Sequence, residues 1–531
     1  MLTNYRDFME EHVKKYPTIP MFAYRDPDTG ERAEVLPSDF RKQVMALSAY
    51  LLKEGYEHKH VGIFSPNSYK YILVRQALMC CGCTAVLLDV RMEDPELINL
   101  IKDSESCAIF CSEDVKSRAE EFSKNTGAAV LYMSKLDDYM KEGNALRDNG
   151  KFMAEDVEID PDAGALILYT SGTTGRNKGV VHSQRSYLTA KVMEYEQDRE
   201  ATGDSVLVLP FTHVMSETSL LNTLLSGHTL FINQNTRRVF EDIKNERPEV
   251  LVLVPLYVQT LLDLLWKSIR DKGKENQIRK QIEENRKYDY TLKYRREMFA
   301  EELEILGGRL FKILSGGAKI AQRLVDEFRD FGIDVLDGIG TTETGGVLAT
   351  NLYGQTRAGS VGRPMLGTEI RIDNPDVNGV GEVCVKGSHV MLGYYKKQED
   401  TDEVLKDGWF HTGDSGRFDT DHFLYITGRI KNLIILSNGE NVSPEELEQR
   451  IAKNPAVKEI LVYGEGEDIV AEIYPDSEYH KVHGTGDLEG ALKKYVLDLN
   501  EELSDYKRIH VIRFRTEPFE KTSSGKIKRR Q

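Results

Sequence analysis

The chain has 531 residues, 40% of them hydrophobic and 29% charged, with a formal net charge of −16. That gives a sizeable core and room for about two to four domains. The acidic balance argues against general nucleic-acid binding, which needs a basic footprint, and the lack of any apolar run of about 18 residues excludes an expected transmembrane helix.

The opening segment, MLTNYRDFMEEHVKKYP, is polar and mixed in charge. It lacks the basic-then-apolar layout of a secretory signal, so a cytoplasmic protein is the default expectation. From residue 37 helices and strands alternate. DFRKQVMALSAYLLKEG and SYKYILVRQALMCCG have helical periodicity, whereas HVGIFS, TAVLLDV, CAIFCS and AAVLYM read as short apolar strands. Strands between helices predict an α/β architecture with a largely parallel sheet. Cys80, Cys81, Cys83, Cys107 and Cys111 all lie inside these apolar stretches. They read as buried reduced thiols rather than metal ligands.

In the central region each strand ends in a small or polar cluster. ALILYTS runs into SGTTGRNKG, SVLVLP into FTHV, LFKILS into GGA, and IDVLDG into IGTTETGG. In open α/β sheets ligands bind beyond the C-terminal ends of strands, so these remote clusters are predicted to share one crevice. Residues 267–297 are highly charged and lean basic. They read as a solvated helical face, with attraction to phosphates or to anionic headgroups at a membrane surface as the weaker alternative. After FLYITGRIKNLIILSNG the texture changes. Ser443 is placed as an N-cap, Pro444 in the first turn and Glu446 at the capping-box position. Strands EILVYGE, IVAEIYP and HVIRFR and a helix near 487–503 complete a compact α+β unit of about 100 residues.

The stretch LYTSGTTGRNKGV, residues 168–180, carries the sharpest chemistry. Gly172 and Gly175 let backbone N–H groups converge on an anion. Ser171, Thr173 and Thr174 add hydroxyl donors, and Lys178 adds a mobile point charge. A polyphosphate is the natural guest. The spacing is not that of the P-loop GxxxxGK[ST], because Gly172 and Gly175 are too close and Gly179 follows Lys178. A plain P-loop NTPase is therefore excluded.

The order S-G-T-T-G-x-x-K-G after a strand resembles the phosphate loop of the adenylate-forming superfamily of acyl-CoA synthetases, adenylation domains and luciferases. LDGIGTTETG, GWFHTGDSG, TGRIKN and the closing PFEKTSSGKIKRR resemble further elements of that family, in its order, over nearly the whole chain. The resemblance implies a large N-terminal multi-layer α/β domain, residues 1–428, with the AMP-binding site. It implies a small mobile α+β C-terminal domain, residues 429–531, that carries the catalytic lysine.

It also implies roles residue by residue. Thr170, Ser171, Gly172, Thr173, Thr174, Gly175 and Lys178 would hold the phosphates. Glu343 and the Thr170 hydroxyl would hold Mg²⁺, and Thr342 would touch the α-phosphate. Gly316 and Gly317, in LSGGAK, would line the acyl and adenine sites. Asp337 would contact the adenine amino group, and Ile339 stands where an aromatic usually covers the ring. Asp414 would accept from both ribose hydroxyls, and Arg429 would reach the ribose or phosphate. Lys431 falls at the hinge and Gly439 on the CoA tunnel. Lys526 would bridge the carboxylate and α-phosphate oxygens in the transition state. His213 reads equally as a residue beside the acyl group and as a packed histidine after a strand.

The segment KNLIILSNGENVSPEELE, the tail and the charged insert are similar to those of bacterial long-chain fatty-acid–CoA ligases. FTHVMSE and Asn177 depart from that branch's pattern. The implied reaction joins a carboxylic acid to ATP, giving acyl-AMP and pyrophosphate, and then passes the acyl group to CoA. Two alternatives stay open. One is loading of an acyl carrier protein in trans; the other is a nucleotide-binding homologue without catalysis, suggested by Ile339 and opposed by Lys526, Glu343 and Asp414.

Overall fold

The computed structural model describes residues 2–171, 177–436, 441–477, 486–521 and 527–529. Two sheets organise the larger part of the chain. The first has seven strands, in the order Gly393–Tyr394, Asn177–Ser183, Gly164–Ser171, Thr84–Leu88, His60–Phe64, Ala108–Cys111, Ala129–Tyr132. The last five are mutually parallel, and the first two are added antiparallel. The second sheet has nine strands and a parallel centre running from Asp334–Thr341 through Lys312–Ser315, Val250–Leu253 and Ser205–Leu207 to Leu230–Ile232 and Phe22–Arg25.

Two inner helices, Gln184–Gln197 and Val214–Leu225, touch each other, and between them they reach strands of both sheets. Buried on both sides, they lack the polar face of a surface helix; Tyr187, Leu188, Leu220, Leu221 and Leu224 are all closed to solvent. Each such side chain stabilises the fold by roughly 1.5–3 kcal/mol. The outer face of the nine-stranded sheet is covered by the helices Val239–Glu246, Pro255–Asp271 and Gln322–Asp330 through Ile243, Leu262 and Phe328. Helices Asp94–Asp103 and Lys116–Thr126 cover the outer face of the other sheet. The expected α/β layers are present, and the cysteines are free, with Cys80, Cys81, Cys83 and Cys111 buried and Cys107 half-buried. Burial pushes the Cys80 thiol up to about 12 and Cys111 to about 11, in keeping with inert core thiols.

The charged stretch folds as the helices Glu275–Tyr288 and Leu292–Met298. Ile278 and Ile282 face the core, and the remaining face is solvated, with Arg286 paired to Asp330 at 2.5 Å. Among the described residues no helix is long and apolar enough to cross a membrane.

An antiparallel sheet built on Glu369–Asp373, Gly381–Lys386 and Trp409–Phe418 follows, with Leu424–Arg429 paired to the last of these. From Ile434 onward a separate core gathers Leu447, Ile451, Val462, Ile473 and Val496. It lies between the helices Pro444–Ile451 and Leu488–Asn500 and a three-stranded sheet of Val457–Glu465, Asp468–Pro475 and Val511–Phe514. Ser443 caps the first helix by accepting from Glu446 N–H. The reciprocal half of the expected capping box is replaced: the Glu446 carboxylate accepts from Lys507 Nζ at 2.7 Å, a stronger charge-assisted partner.

Candidate active site

Two hairpins bring the sequence motifs together. Strand Gly164–Ser171 pairs antiparallel with Asn177–Ser183, so Thr170 stands opposite Lys178. Gly172, Thr173, Thr174 and Gly175 lie outside the described residues, as does the Ser171 side chain. Strand Asp334–Thr341 turns back through Thr342–Thr344 into Gly346–Thr350. Gly340 permits this turn, because a Cβ there would collide with the Gly346 carbonyl.

A third segment clasps both hairpins. Leu392 N–H donates to Val181 O at 2.9 Å, Tyr395 N–H to Gly179 O at 2.7 Å and Met391 N–H to Glu343 O at 2.7 Å. Within it, the Tyr394 hydroxyl donates to Glu343 Oε1 at 2.8 Å, and the Tyr394 ring lies 4.8 Å below Lys178 Nζ. One side chain thus joins the loop's lysine to the second motif's carboxylate. Burial and the Glu343 charge raise the Tyr394 phenol well above its ordinary value, so it stays a donor. His182 Nε2 donates to Thr342 O at 2.7 Å, fixing the turn from behind. Burial lowers His182 to about 4, so it does this as a neutral ring.

The lysine differs from the mobile cation expected. Lys178 Nζ is 2.6 Å from Asp400 Oδ1 and its side chain is 16% exposed. A polyphosphate must draw it away from Asp400 to use its charge.

On the opposite wall, Gly316 and Gly317 form the turn after Lys312–Ser315. Gly317 has φ +77°, a left-handed conformation that suits glycine. Asp337 follows, half-buried, on the neighbouring strand, opposite Ser315. Burial pushes its carboxyl up to about 7, although the Lys319 cation and the Gly338 N–H draw it back. Ile339 is half-buried and packs against the cluster of Val180, Leu348 and Val361.

Asp414 and Arg429 are joined to each other rather than standing separately. They are register partners, with Arg429 Nε 2.7 Å from Asp414 Oδ1 and Arg429 Nη1 donating to Thr412 O at 3.3 Å. The buried carboxylate is therefore held in one orientation by the guanidinium, whose side chain is still 44% exposed. Lys431 follows in the short turn Ile430–Asn432, which Asn432 ties to Glu445 at 2.6 Å.

His213 is neither a core histidine nor an isolated one. It precedes the helix Val214–Leu225, half-buried, and its Nε2 is 2.9 Å from Arg91 Nη2. Arg91 cannot accept, so the His213 Nε2 accepts and its proton sits on Nδ1. Arg91 also binds Asp89, Nε to Oδ1 at 2.9 Å. These bonds outweigh burial and hold Asp89 below its ordinary value. No local motif marks Arg91, Tyr394 or Asp400 as site residues. Asp89 carries a signal, since it ends the apolar strand TAVLLDV as other site residues end theirs.

Gly439 and Lys526 lie outside the described residues. The flanks of the latter are described. Lys521 and Ile527 form an antiparallel bridge, Lys521 Nζ is 2.6 Å from Glu459 Oε1, and Arg529 Nη2 is 2.7 Å from Glu448 Oε2 and 3.2 Å from Glu445 Oε1.

The described groups thus offer cations, fixed carboxylates and hydroxyls at the C-terminal ends of neighbouring strands, a chemistry suited to a nucleoside polyphosphate and a second acidic substrate. Comparison with known proteins agrees. The family model described as AMP-binding enzyme matches residues 9–395, and that described as AMP-binding enzyme C-terminal domain matches 431–531. The chain is 26% identical over 500 residues to the long-chain-fatty-acid–CoA ligase FadD15 of Mycobacterium bovis, covering 87% of this chain and 80% of that one. In fold it resembles the anthranilate CoA ligase AuaEII solved with anthranoyl-AMP (TM-score 0.79, 20% identity, 99% and 95% of the two chains). It also resembles the o-succinylbenzoate coenzyme A synthetase of Bacillus subtilis solved with ATP and magnesium ion (TM-score 0.73, 23% identity, 98% of each chain). The chain belongs to the AMP-binding enzyme family.

Proposed function

We propose that the protein is an ATP-dependent acyl-CoA synthetase that activates a carboxylic acid, a fatty acid by its similarity to FadD15, and transfers the acyl group to CoA. The observation that supports this most is the joining of Lys178, Tyr394 and Glu343 across three separate segments. It concentrates phosphate-binding and metal-binding chemistry where two hairpins meet.

In the first step a carboxylate oxygen of the acid attacks the α-phosphorus of ATP. The bond to pyrophosphate breaks and acyl-AMP forms. Lys178, once released from Asp400, neutralises the leaving phosphates, and Lys526 spans the acid and the α-phosphate. Asp414, oriented by Arg429, receives the ribose hydroxyls, and Asp337 accepts from the adenine amino group. Positioning and charge neutralisation carry the rate. Glu343 and the Thr170 hydroxyl are hard oxygen donors, the set Mg²⁺ prefers. Bound there, Mg²⁺ would supply charge neutralisation to the phosphates.

In the second step the CoA thiol loses its proton, the sulfur attacks the acyl carbonyl, and AMP leaves. We place the division between the units at residues 428 and 429, with rotation about Lys431 exchanging the tail for a thiol path past Gly439. The separate core from Ile434 onward supports independent movement of the second unit.

The test is release of AMP from ATP with a panel of short to long fatty acids and aromatic acids, with and without CoA. AMP that depends on both acid and CoA is the expected result. Acid-dependent pyrophosphate without any effect of CoA would assign a carrier-protein acceptor instead. ATP binding with no turnover on any acid would overturn the ligase reading.

A further inference from the structure

One face of the antiparallel sheet Glu369–Asp373, Gly381–Lys386 and Trp409–Phe418 packs on a core through Ile370, Ile372, Val383, Val385 and Phe410. Side chains alternate across a strand, so Arg371, Asp373, Glu382, Cys384, Trp409 and His411 stand on the other face. That face meets solvent at its end, where Glu369 and Lys386 are exposed. Such a face ordinarily carries polar residues that need no partner. Here the register gathers reactive ones. Asp373 lies opposite Glu382, Arg371 opposite Cys384, and Cys384 opposite His411. The thiol among them is closed to solvent.

Cys384 Sγ is 3.4 Å from His411 Nδ1, which is 2.8 Å from Glu382 Oε2. A carboxylate oxygen of Asp373, Cys384 Sγ and a ring nitrogen of His411 all lie within 4.8 Å of one another. At zinc bond lengths of about 2.0–2.3 Å, the donors of a tetrahedral site stand about 3.3–3.8 Å apart. The Cys384–His411 edge already has that length. The side chains of His411, Glu382 and Asp373 are 15%, 24% and 33% exposed, so an ion has a way in past the carboxylates while the thiol closes the floor. Thiolate, imidazole and carboxylate together suit Zn²⁺, whereas Mg²⁺ takes oxygen ligands. A thiolate and two carboxylates with Zn²⁺ leave one negative charge. The Arg371 guanidinium is placed to offset it, 3.8 Å from Asp373 Oδ1 and 4.5 Å over the Trp409 ring. A second cluster, Asp204, His228 and Glu249, has no thiol, and Arg309 already bridges its carboxylates at 3.5 and 2.7 Å.

We propose that Asp373, Glu382, Cys384 and His411 form a zinc site, and that the ion braces the bulge that presents Asp414. Glu382 pairs with Ser415 and Cys384 with His411, so a step of two positions on one strand faces a step of four on the other. The surplus is Thr412, Gly413 and Asp414. Gly413 N–H donates to Glu382 Oε1 at 3.0 Å, and Thr412 Oγ1 donates to Val383 O at 2.7 Å. Zinc held through Glu382 Oε2 leaves the bond to Gly413 in place, and His411 enters the bulge directly. On binding, the Cys384 thiol gives its proton to solvent and the His411 ring keeps its proton on Nε2. The site stands independently of the ligase reading.

The experiment uses the full-length protein, stripped of metal by a chelator, exchanged into excess Mg²⁺ and titrated with Co²⁺ as a coloured stand-in for zinc. One equivalent per chain should bind with a thiolate-to-cobalt charge-transfer absorption, and one equivalent of Zn²⁺ should displace it. Cys384→Ser should abolish that absorption and weaken Zn²⁺ at least about 100-fold in competition with a chromophoric chelator, since losing even a partner outside the ligand set costs about 10–100-fold. Asp373→Asn, at a partly exposed position, should weaken Zn²⁺ at least about tenfold and keep the absorption, which preserves the test if Cys384→Ser folds poorly. Hydrogen exchange of residues 411–416 should slow with Zn²⁺ in the wild type and not in Cys384→Ser. Absence of a stoichiometric charge-transfer absorption overturns the site. So does an absorption unchanged in Cys384→Ser, which would place the metal on other thiols, or full Zn²⁺ affinity in Asp373→Asn. Zinc bound through Cys384 without slower exchange in 411–416 overturns the brace.

Discussion

The two lysines proposed for phosphate chemistry are placed by different means. Lys178 sits in a sheet, on a strand paired on both sides, with Asp400 and Tyr394 gripping its side chain. Lys526 belongs to a tail whose two flanks are clasped to the small unit, Lys521 to Glu459 and Arg529 to Glu445 and Glu448. A cation held by a sheet is permanent furniture of the site. A cation held by a separately cored unit can be delivered for one step and withdrawn for the next.

The largest expected effect is at the lysine of the small unit. Lys526→Ala is expected to lower acid-dependent pyrophosphate formation on the order of 10²–10³-fold, the cost of removing a donor to developing charge, with an unchanged Tm. Pyrophosphate formation at the wild-type rate would remove Lys526 from the mechanism. Arg529→Ala tests the clasp. Loss of its charge-assisted bonds should cost about 30-fold in kcat for adenylation with little change in the KM for ATP. Burial already pushes Glu448 up to about 7 despite Arg529, so without the arginine it would take a proton. An Arg529→Ala enzyme that lost ATP affinity instead would show that the arginine serves the nucleotide site.

Two smaller effects sharpen the fixed end. The Asp337 carboxyl is pushed up to about 7, and only its ionised form accepts from an amino group on both oxygens. The KM for ATP should therefore rise about tenfold as pH falls from 8 to 6, and Asp337→Asn should flatten the profile. The sign for stability is opposite. A raised acid favours the folded state below the ordinary carboxylate range, and that contribution is lost as pH rises through 7. Chemical denaturation of wild type and Asp337→Asn at pH 5 and pH 8 measures it. Tyr394→Phe removes one hydrogen bond to Glu343 and should lower kcat about fivefold, read from single-turnover adenylation.

Much of this layout was legible in the sequence. Apolar runs that break into Gly, Ser, Thr or Asp gave the parallel strands and their functional ends, because buried parallel strands must be apolar throughout and ligands meet them only where they stop. The side-chain partnerships were not legible. His213 and Arg91 are 122 positions apart and Lys178 and Asp400 are 222 apart, and no local spacing encodes such pairs. Tyr394 lay in GYYKKQED, a stretch that reads as a connector until the sheet shows it pairing with the phosphate-loop hairpin. Glu446 occupied the capping-box position, but Lys507, from a distant turn, outcompeted the backbone for it.

Gly346 has a further consequence. It is the partition between the turn that bears Glu343 and the buried Lys191–Glu194 pair, and the partition is one backbone thick. Any larger residue there would disturb the turn that bears Glu343 and the Lys191–Glu194 pair in a single mutational step.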